Sequence, residues 1–425
     1  MMTSFVEHAR DLLERDSIRE MMRPVGLKKD ASPSAPTMEL ESILSKAVDG
    51  ETINREDALR LVKIKNSELV HLIAAAKLVR ERAKGGTVTY SKNVFIPLTQ
   101  LCRDNCGYCT FKIEPGEGPL FVPPDEVIET ARKGGALGCK ELLFVTGDKP
   151  ESKYSVYRDA LAKMGYGSTA EYLIDMCEAV LAEDIFPHSN LGLATPEELG
   201  RLRETNPSMG LMLENISPRL LEKGEAHYGS PDKVPKLRMK TMQDAGGLRI
   251  PWTSGILVGI GETWEERIDS LFAIKELDDE FGHIQEIIIQ NFTPKQGIRM
   301  EGYCPPAFID MLKTVAISRL IFPDKMNIQV PPNLNLKEFP LHILAGVNDL
   351  GGVSPITIDY VNPESPWPQV KRMEEVVSGL GLKLRERLPV YPEYLIEEFI
   401  NPNLLRKAKN FVDSEGFVLQ EMSHG

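Results

Sequence analysis

The chain has 425 residues, a formal charge of −12 and a sequence pI near 5.3. Such an acidic balance offers no basic field to nucleic acid or anionic lipid and favours a small-molecule substrate. Six cysteines in so long a chain form no disulfide framework and fit a thiol-reducing, cytoplasmic compartment. The longest apolar runs, 141–145 and 284–289, are strand-sized, and Glu7, His8, Arg10 and Asp11 make the start too charged for a secretory signal, so no membrane role is expected.

In chain order, residues 1–29 read as a charged helical tail, and 30–37 as a Ser/Pro linker that marks a boundary. A polar helical segment over 38–83 stops at Gly85-Gly86, making 38–92 a helical lead-in packed on the domain that begins at residue 93. Residues 93–98, Asn-Val-Phe-Ile-Pro-Leu, form a short apolar strand that runs directly into a cysteine-rich loop. Strands follow at 141–145, 209–213, 248–260, 286–290 and 327–330, with a weaker one near Val353. Between them, Ser168-Thr-Ala-Glu171, Thr195-Pro-Glu-Glu198 and Thr263-Trp-Glu-Glu266 are capping sequences that open helices. Leu173, Met176, Cys177 and Val180 share one helix face, and Trp264, Ile268, Leu271 and Ile274 another. Strands alternating with helices mean parallel βα units, and a series of this length predicts an α/β fold: a closed or nearly closed TIM-type (βα) barrel over 93–394. A C-terminal helical extension is expected over 395–425.

Cys102, Cys106 and Cys109 place three thiolates in one loop with the spacing CxxxCxxC. A structural zinc site is closed by four N or S ligands and a storage-type cluster takes four cysteines, so a trio that stops short implies a metal centre with an open position. Cys177 belongs to the core, Cys139 precedes a strand at the wrong end of the barrel, and Cys304 sits among prolines near the mouth; no second cluster is expected. In such a barrel chemistry sits at the C-terminal strand ends. Here these read Thr146-Gly147-Asp148, Glu214-Asn215, Gly259-Ile-Gly-Glu262, Gln290-Asn291 and Asn333. Each alone is ordinary turn chemistry; beside the cysteine loop they converge on one polar mouth. Gln290, Asn291, Asn333 and Asn348 are candidate substrate contacts, and His227 and Asp349 are candidates for moving protons.

The cysteine loop and three strand-end motifs, in this order, resemble the radical S-adenosylmethionine (SAM) enzymes, in the branch that contains biotin synthase and the deazaflavin-forming enzymes. The resemblance spans 93–394. It implies a 4Fe-4S cluster on Cys102, Cys106 and Cys109, whose fourth iron is chelated by SAM. Gly147 and Asp148 stand where the family has Gly-Gly-Glu, holding the SAM amine, with Asp replacing Glu. Glu214 is placed like the carboxylate that binds the SAM ribose. Gly255, Gly259 and Glu262 match a GxIxGxxE motif lining the adenine, and Tyr108 fills an aromatic slot beside it. Residues 90–99, His227 with 230–235, Pro294-Lys295, 331–334, 348–352 and 362–367 bring the resemblance closest to the deazaflavin-forming lyases of coenzyme F-420 biosynthesis. That implies radical cyclisation of a hydroxybenzyl adduct of a ribitylamino-uracil with loss of ammonia, fed by a low-potential electron donor. Whether an adduct-forming partner subunit docks is left open. Two other readings stand beside it: the partner that joins tyrosine to the ribitylamino-uracil, or a menaquinone-pathway relative; and, in another class, an iron-sulfur electron-transfer or zinc-binding protein.

Overall fold

The computed structural model describes residues 36–323 and 325–419. The tail expected over 1–29, and the linker up to residue 35, lie outside them. Eight parallel strands close into a barrel: β1 (Thr87–Thr99), β2 (Glu141–Thr146), β3 (Phe186–Asn190), β4 (Ser208–Gly210), β5 (Trp252–Val258), β6 (Ile284–Asn291), β7 (Asn327–Gln329) and β8 (Asp349–Val353). Closure is explicit, because β1 pairs in parallel with both β2 and β8. A ninth strand, β9 (Lys383–Glu386), lies beside the first half of β1, which is why that strand begins at Thr87 rather than at residue 93.

Seven of the eight barrel strands correspond to segments read from the sequence. The one without such a segment is β3, Phe-Pro-His-Ser-Asn. Its proline and three polar residues carry no apolar signal, yet His188 and Asn190 line the barrel interior, where polar groups are tolerated because the lumen is a site.

The lead-in comprises α1 (Met38–Asp49), α2 (Arg55–Val62) and α3 (Leu69–Lys84). It is less polar than expected: α3 buries Leu69 through Ala76 together with Val79 and Arg80. It packs on α4 (Phe308–Ile321), in which every residue from Met311 to Ile321 is buried. A βα helix normally shows water one face; here the lead-in covers it, so the amphipathic pattern disappears. The helices opened at Thr195 and Thr263 have full capping boxes. At Ser168 the hydroxyl caps Glu171 N at 3.2 Å, while the Glu171 carboxylate turns back to Gly167 N instead.

After β9, the described part of the C-terminal segment holds α5 (Pro402–Lys409) and an antiparallel bridge between Val412 and Val418. Leu388, Tyr391, Tyr394, Phe399 and Leu404 form a small second core with Phe186, the first residue of β3. This segment stoppers the N-terminal end of the barrel: Tyr394 Oη donates to Ile284 O and Ser208 Oγ to Pro389 O, at the starts of β6 and β4. With that end closed, access to the lumen is from the C-terminal end. Among the described residues no helix is long and apolar enough to cross a membrane.

Candidate active site

β1 hands the chain at Thr99 to the cysteine loop, which lies across the end of β2. Gly147 permits the contact, since a Cβ there would fall on the carbonyl oxygen of Leu101. Backbone and sulfur then interlock: Gly147 N donates to Thr99 O at 2.9 Å, and Asp148 N and Asp104 N donate to Cys102 Sγ at 3.2 and 3.4 Å. On its other side the loop is stitched to 226–232, through Gly107 N to Ala226 O at 2.7 Å and Asn105 N to Ser230 Oγ at 3.1 Å.

Beneath it opens a cavity of about 490 Å³, lined by Cys102, Cys106 and Cys109 and, among the described residues, by no other cysteine and no histidine. Three soft donors facing one space fit an iron-sulfur centre with an open iron better than a closed four-ligand zinc site. Burial pushes the Cys102 and Cys106 thiols up to about 12, so these sulfurs become thiolates only when a cation takes the protons' place. Residues and group therefore fit.

Charge is concentrated next to the loop. Glu214 sits in left-handed backbone (φ +63), held by Glu214 N to Gly255 O at 3.0 Å and Leu257 N to Glu214 O at 3.1 Å. For a non-glycine residue this costs about 1–3 kcal/mol, and it turns the carboxylate toward the cavity. Lys233 Nζ donates to Glu214 Oε1 at 3.0 Å; burial opposes its charge, but Glu214 and neighbouring acidic groups outweigh that and hold the ammonium ionised. Arg238 donates to Asp232 Oδ2 at 2.7 Å and to Met212 O, and Asp232 N donates to Asp104 Oδ1 at 3.2 Å. Arg103 pairs with Asp148. Asp148 Oδ1 and Asp232 Oδ1 remain buried without a protein partner. Burial, then Asp232, pushes Asp104 up to about 7.

Of the other residues singled out in the sequence, Tyr108, Gln290 and Asn291 line the same cavity. Asn333 lines a deeper one, with its amide nitrogen on Asp359 at 2.8 Å. His227 is neither solvated nor in the lining: it is fully buried with Nε2 3.3 Å from Tyr108 Oη, and burial followed by Lys233 and Arg238 pushes it down to about 3. As a neutral ring it buttresses Tyr108.

Five further placements differ from expectation. Gly255 is in the barrel wall, where a Cβ would strike Ile288 O. Gly259 forms the turn after β5, and Glu262 closes that turn, accepting from Gly259 N at 2.9 Å and Ile260 N at 2.8 Å and pairing with Arg267 at 2.6 Å; no carboxylate oxygen reaches the cavity. Asn348 and Asp349 are at the opposite end of the barrel, because β8 starts at Asp349 rather than ending near it. Asn348 is spent on Arg319 and Asn327, each at 2.8 Å, and Asp349 on Arg387. Conversely, Lys233, Arg238 and Asp232 have no role legible in the sequence. For Asp232 and Lys233 the one signal is a Ser-Pro-Asp-Lys-Val-Pro run that places charges between two prolines, and Arg238 lies beyond it. Cys177 is buried against Ser189 at 3.3 Å, Cys139 is buried, and Cys304 is exposed.

Comparison with known proteins agrees with this geometry. Residues 96–274 match the model of the Radical SAM superfamily. A 7,8-didemethyl-8-hydroxy-5-deazariboflavin synthase of Methanopyrus kandleri is 49% identical over 332 residues, covering 78% of this chain and 99% of that protein. The FO synthase of Mycobacterium tuberculosis is 43% identical over 399 residues, covering 88% of this chain but 47% of that longer protein. Among solved structures, methylornithine synthase (TM-score 0.65, 21% identity, 80% of this chain and 97% of that one) shares the fold. So does the FeFe-hydrogenase maturase of Carboxydothermus hydrogenoformans (TM-score 0.67, 18% identity, 96% and 93%). Three thiols at the mouth of a closed parallel barrel, and identity of this extent across almost the whole of a relative, lead to one conclusion: the chain belongs to the 7,8-didemethyl-8-hydroxy-5-deazariboflavin synthase family of the radical SAM superfamily.

Proposed function

We propose that this chain is the cyclase that converts the 5-amino-5-(4-hydroxybenzyl)-6-(D-ribitylimino)-5,6-dihydrouracil adduct into 7,8-didemethyl-8-hydroxy-5-deazariboflavin (FO), releasing ammonia. The observation that supports it most is the open three-thiol loop facing a lumen whose polar lining is rich in amides. Cys102, Cys106 and Cys109 would hold a 4Fe-4S cluster, which together with SAM supplies, when bound, a carbon radical able to abstract hydrogen.

The remaining work belongs to the chain. Glu214 offers a carboxylate to vicinal hydroxyls, and Lys233 fixes its direction. Asp148 presents its unpartnered Oδ1 beside Cys102, where it accepts from an ammonium group. Tyr108, backed by His227, forms a flat apolar wall for a heterocycle. Gln290 and Asn291 on β6 carry neutral hydrogen-bonding groups suited to a uracil, which needs donors and acceptors rather than charge. The stoppered N-terminal end keeps water from entering behind the substrate, so that a primary carbon radical meets its target hydrogen first. The enzyme would act in a reducing, cytoplasmic compartment with a low-potential electron donor.

The test is anaerobic reconstitution with iron and sulfide, followed by addition of SAM, reductant and the adduct. Deazaflavin absorbance and fluorescence, one ammonia per product and 5'-deoxyadenosine are expected, while tyrosine and the ribitylamino-uracil supplied separately should give nothing. Turnover of free tyrosine would reassign the chain to the adduct-forming step.

A further inference from the structure

Deeper in the barrel lies a second cavity of about 190 Å³. Phe95, Leu143, Asn190, Ile288 and Gln290 line both cavities, so the two adjoin along the lumen. Much of the inner polar lining is already spent within the protein: Thr253 on Glu286 at 3.0 Å, the Asn333 amide nitrogen on Asp359 at 2.8 Å, Arg387 on Asp349 at 2.7 Å. His188, Asn190, Gln290 and Gln329 are different. Among the described residues, the three amides have no protein partner, and His188 uses only one ring nitrogen.

Which nitrogen is decided by its neighbours. Ser208 Oγ donates its single proton to Pro389 O at 2.6 Å. Toward His188 Nδ1, 2.7 Å away, it can therefore only accept, so Nδ1 carries the ring proton and Nε2 keeps a lone pair. The space in front of Nε2 exists because residue 210, on the neighbouring strand, is glycine. A Cβ there would fall 3.2 Å from His188 Nε2 and 2.6 Å from Asn190 Oδ1. Burial, with Arg387 adding to it, pushes His188 down to about 3, so the ring accepts a hydrogen bond without taking the proton.

These four groups on β3, β6 and β7, with the buried and unpartnered Asn93 Oδ1 and Asn333 Oδ1, surround a space of this size. A phenol would satisfy one and leave the others desolvated and unpaired, which is costly. A chain of several hydroxyls, each a donor and an acceptor, can pair with all of them. We propose that the inner cavity is the subsite for the polyhydroxylated arm of the substrate, with His188 Nε2 accepting from one hydroxyl and Asn190, Gln290 and Gln329 serving the rest. This rests on the FO-forming reading, since that substrate carries both a polyol and a phenol.

The variants are chosen by atom. His188→Asn keeps a donor for Ser208 and deletes the cavity acceptor; His188→Gln puts an amide oxygen where Nε2 stood. With reconstituted protein and SAM but no reductant, the adduct should bind His188→Asn roughly 3- to 15-fold more weakly than the native chain, with recovery in His188→Gln and unchanged SAM affinity and Tm. An adduct with a plain alkyl chain in place of the polyol should bind the native chain and His188→Asn equally, while one lacking only the phenolic hydroxyl should keep the full penalty. A penalty that follows the phenol instead, or equal binding of the intact adduct by both proteins, overturns the proposal. Should His188→Asn fail to fold, Gly210→Ala crowds Nε2 and Asn190 without removing the Ser208 bond and carries the same expectations. Failure of the native chain to convert the adduct overturns the FO-forming reading itself, and the subsite with it, before any variant is compared.

Discussion

At the N-terminal end of the barrel Arg387 donates to Asp349 at 2.7 and 3.0 Å and to Glu286 at 3.3 Å, and Glu286 also accepts from Tyr391 at 2.8 Å and Thr253 at 3.0 Å. At the C-terminal end Arg238, Lys233 and Arg103 meet Asp232, Glu214 and Asp148, but two of those carboxylates keep a buried oxygen with no protein partner. Both ends bury paired charges, and burial alone does not tell them apart. The lower network closes on itself beneath a stopper of Tyr391 and Tyr394. The upper one is left open around three thiols and a cavity. Buried charge marks a functional site when its hydrogen-bonding capacity is not used up by the fold.

The contrast breaks most sharply at the thiols. Cys106→Ala should abolish both iron-sulfur content and SAM cleavage, because three ligands leave no spare, whereas Cys177→Ala should cost only about 1–3 kcal/mol of packing with chemistry intact. Iron analysis, the cluster's absorbance and 5'-deoxyadenosine release check this. Normal iron and turnover in Cys106→Ala would remove the upper site altogether.

Next comes the lower network. Asp349→Ala strips Arg387 of its principal partner in a fully buried place and should cost about 3–5 kcal/mol in denaturant unfolding. Protein that remains folded should still bind SAM normally. A normal midpoint together with a selective loss of turnover would return Asp349 to the chemistry and erase the distinction between the ends.

Glu214→Gln tests the upper end without dismantling it. Fold and cluster should survive, and SAM binding should weaken by about 1.5–3 kcal/mol, since a charge-assisted contact to hydroxyls is exchanged for a neutral one. Equilibrium binding that matches the native chain would mean the carboxylate serves only Lys233.

The effect that is smallest at neutral pH, where it vanishes, concerns a titratable group that belongs to neither network. His342 is fully buried with both ring nitrogens unpartnered, and burial pushes it down to about 3. A folded-state value below the ordinary 6.5 means the unfolded chain takes the proton first. Its contribution is therefore intact above pH 6.5 and is lost as pH falls from there toward 3. Relative to His342→Leu, the native chain should lose about 1.4 kcal/mol per pH unit across that window. Parallel stability curves for the two proteins would show that the histidine is hydrated in the fold.

Local patterns are readable because the physics behind them is local. CxxxCxxC sets three sulfurs within one loop whatever surrounds it, and Thr195 and Thr263 cap their helices through contacts three residues away. β5, with all seven residues buried, announces itself by composition. β3 does not, because its inward positions are His188 and Asn190, polar side chains that only a site-bearing lumen accommodates. Asn348 and Asp349 look like mouth residues from their neighbours in sequence, but a residue's level in the barrel depends on where its strand starts, and the weak Gly-Gly signal of β8 hides that.

The sequence by itself therefore determined the class of barrel, the three thiols and the residues that end its strands, since spacing and periodicity act over a few residues. Only the tertiary structure decided which of the buried polar groups are spent. That depends on partners far away in the chain, such as Lys233 for Glu214, Arg387 for Asp349 and Pro389 for Ser208, 181 residues apart. A hydrogen bond needs about 3 Å and a direction, and no one-dimensional pattern fixes either.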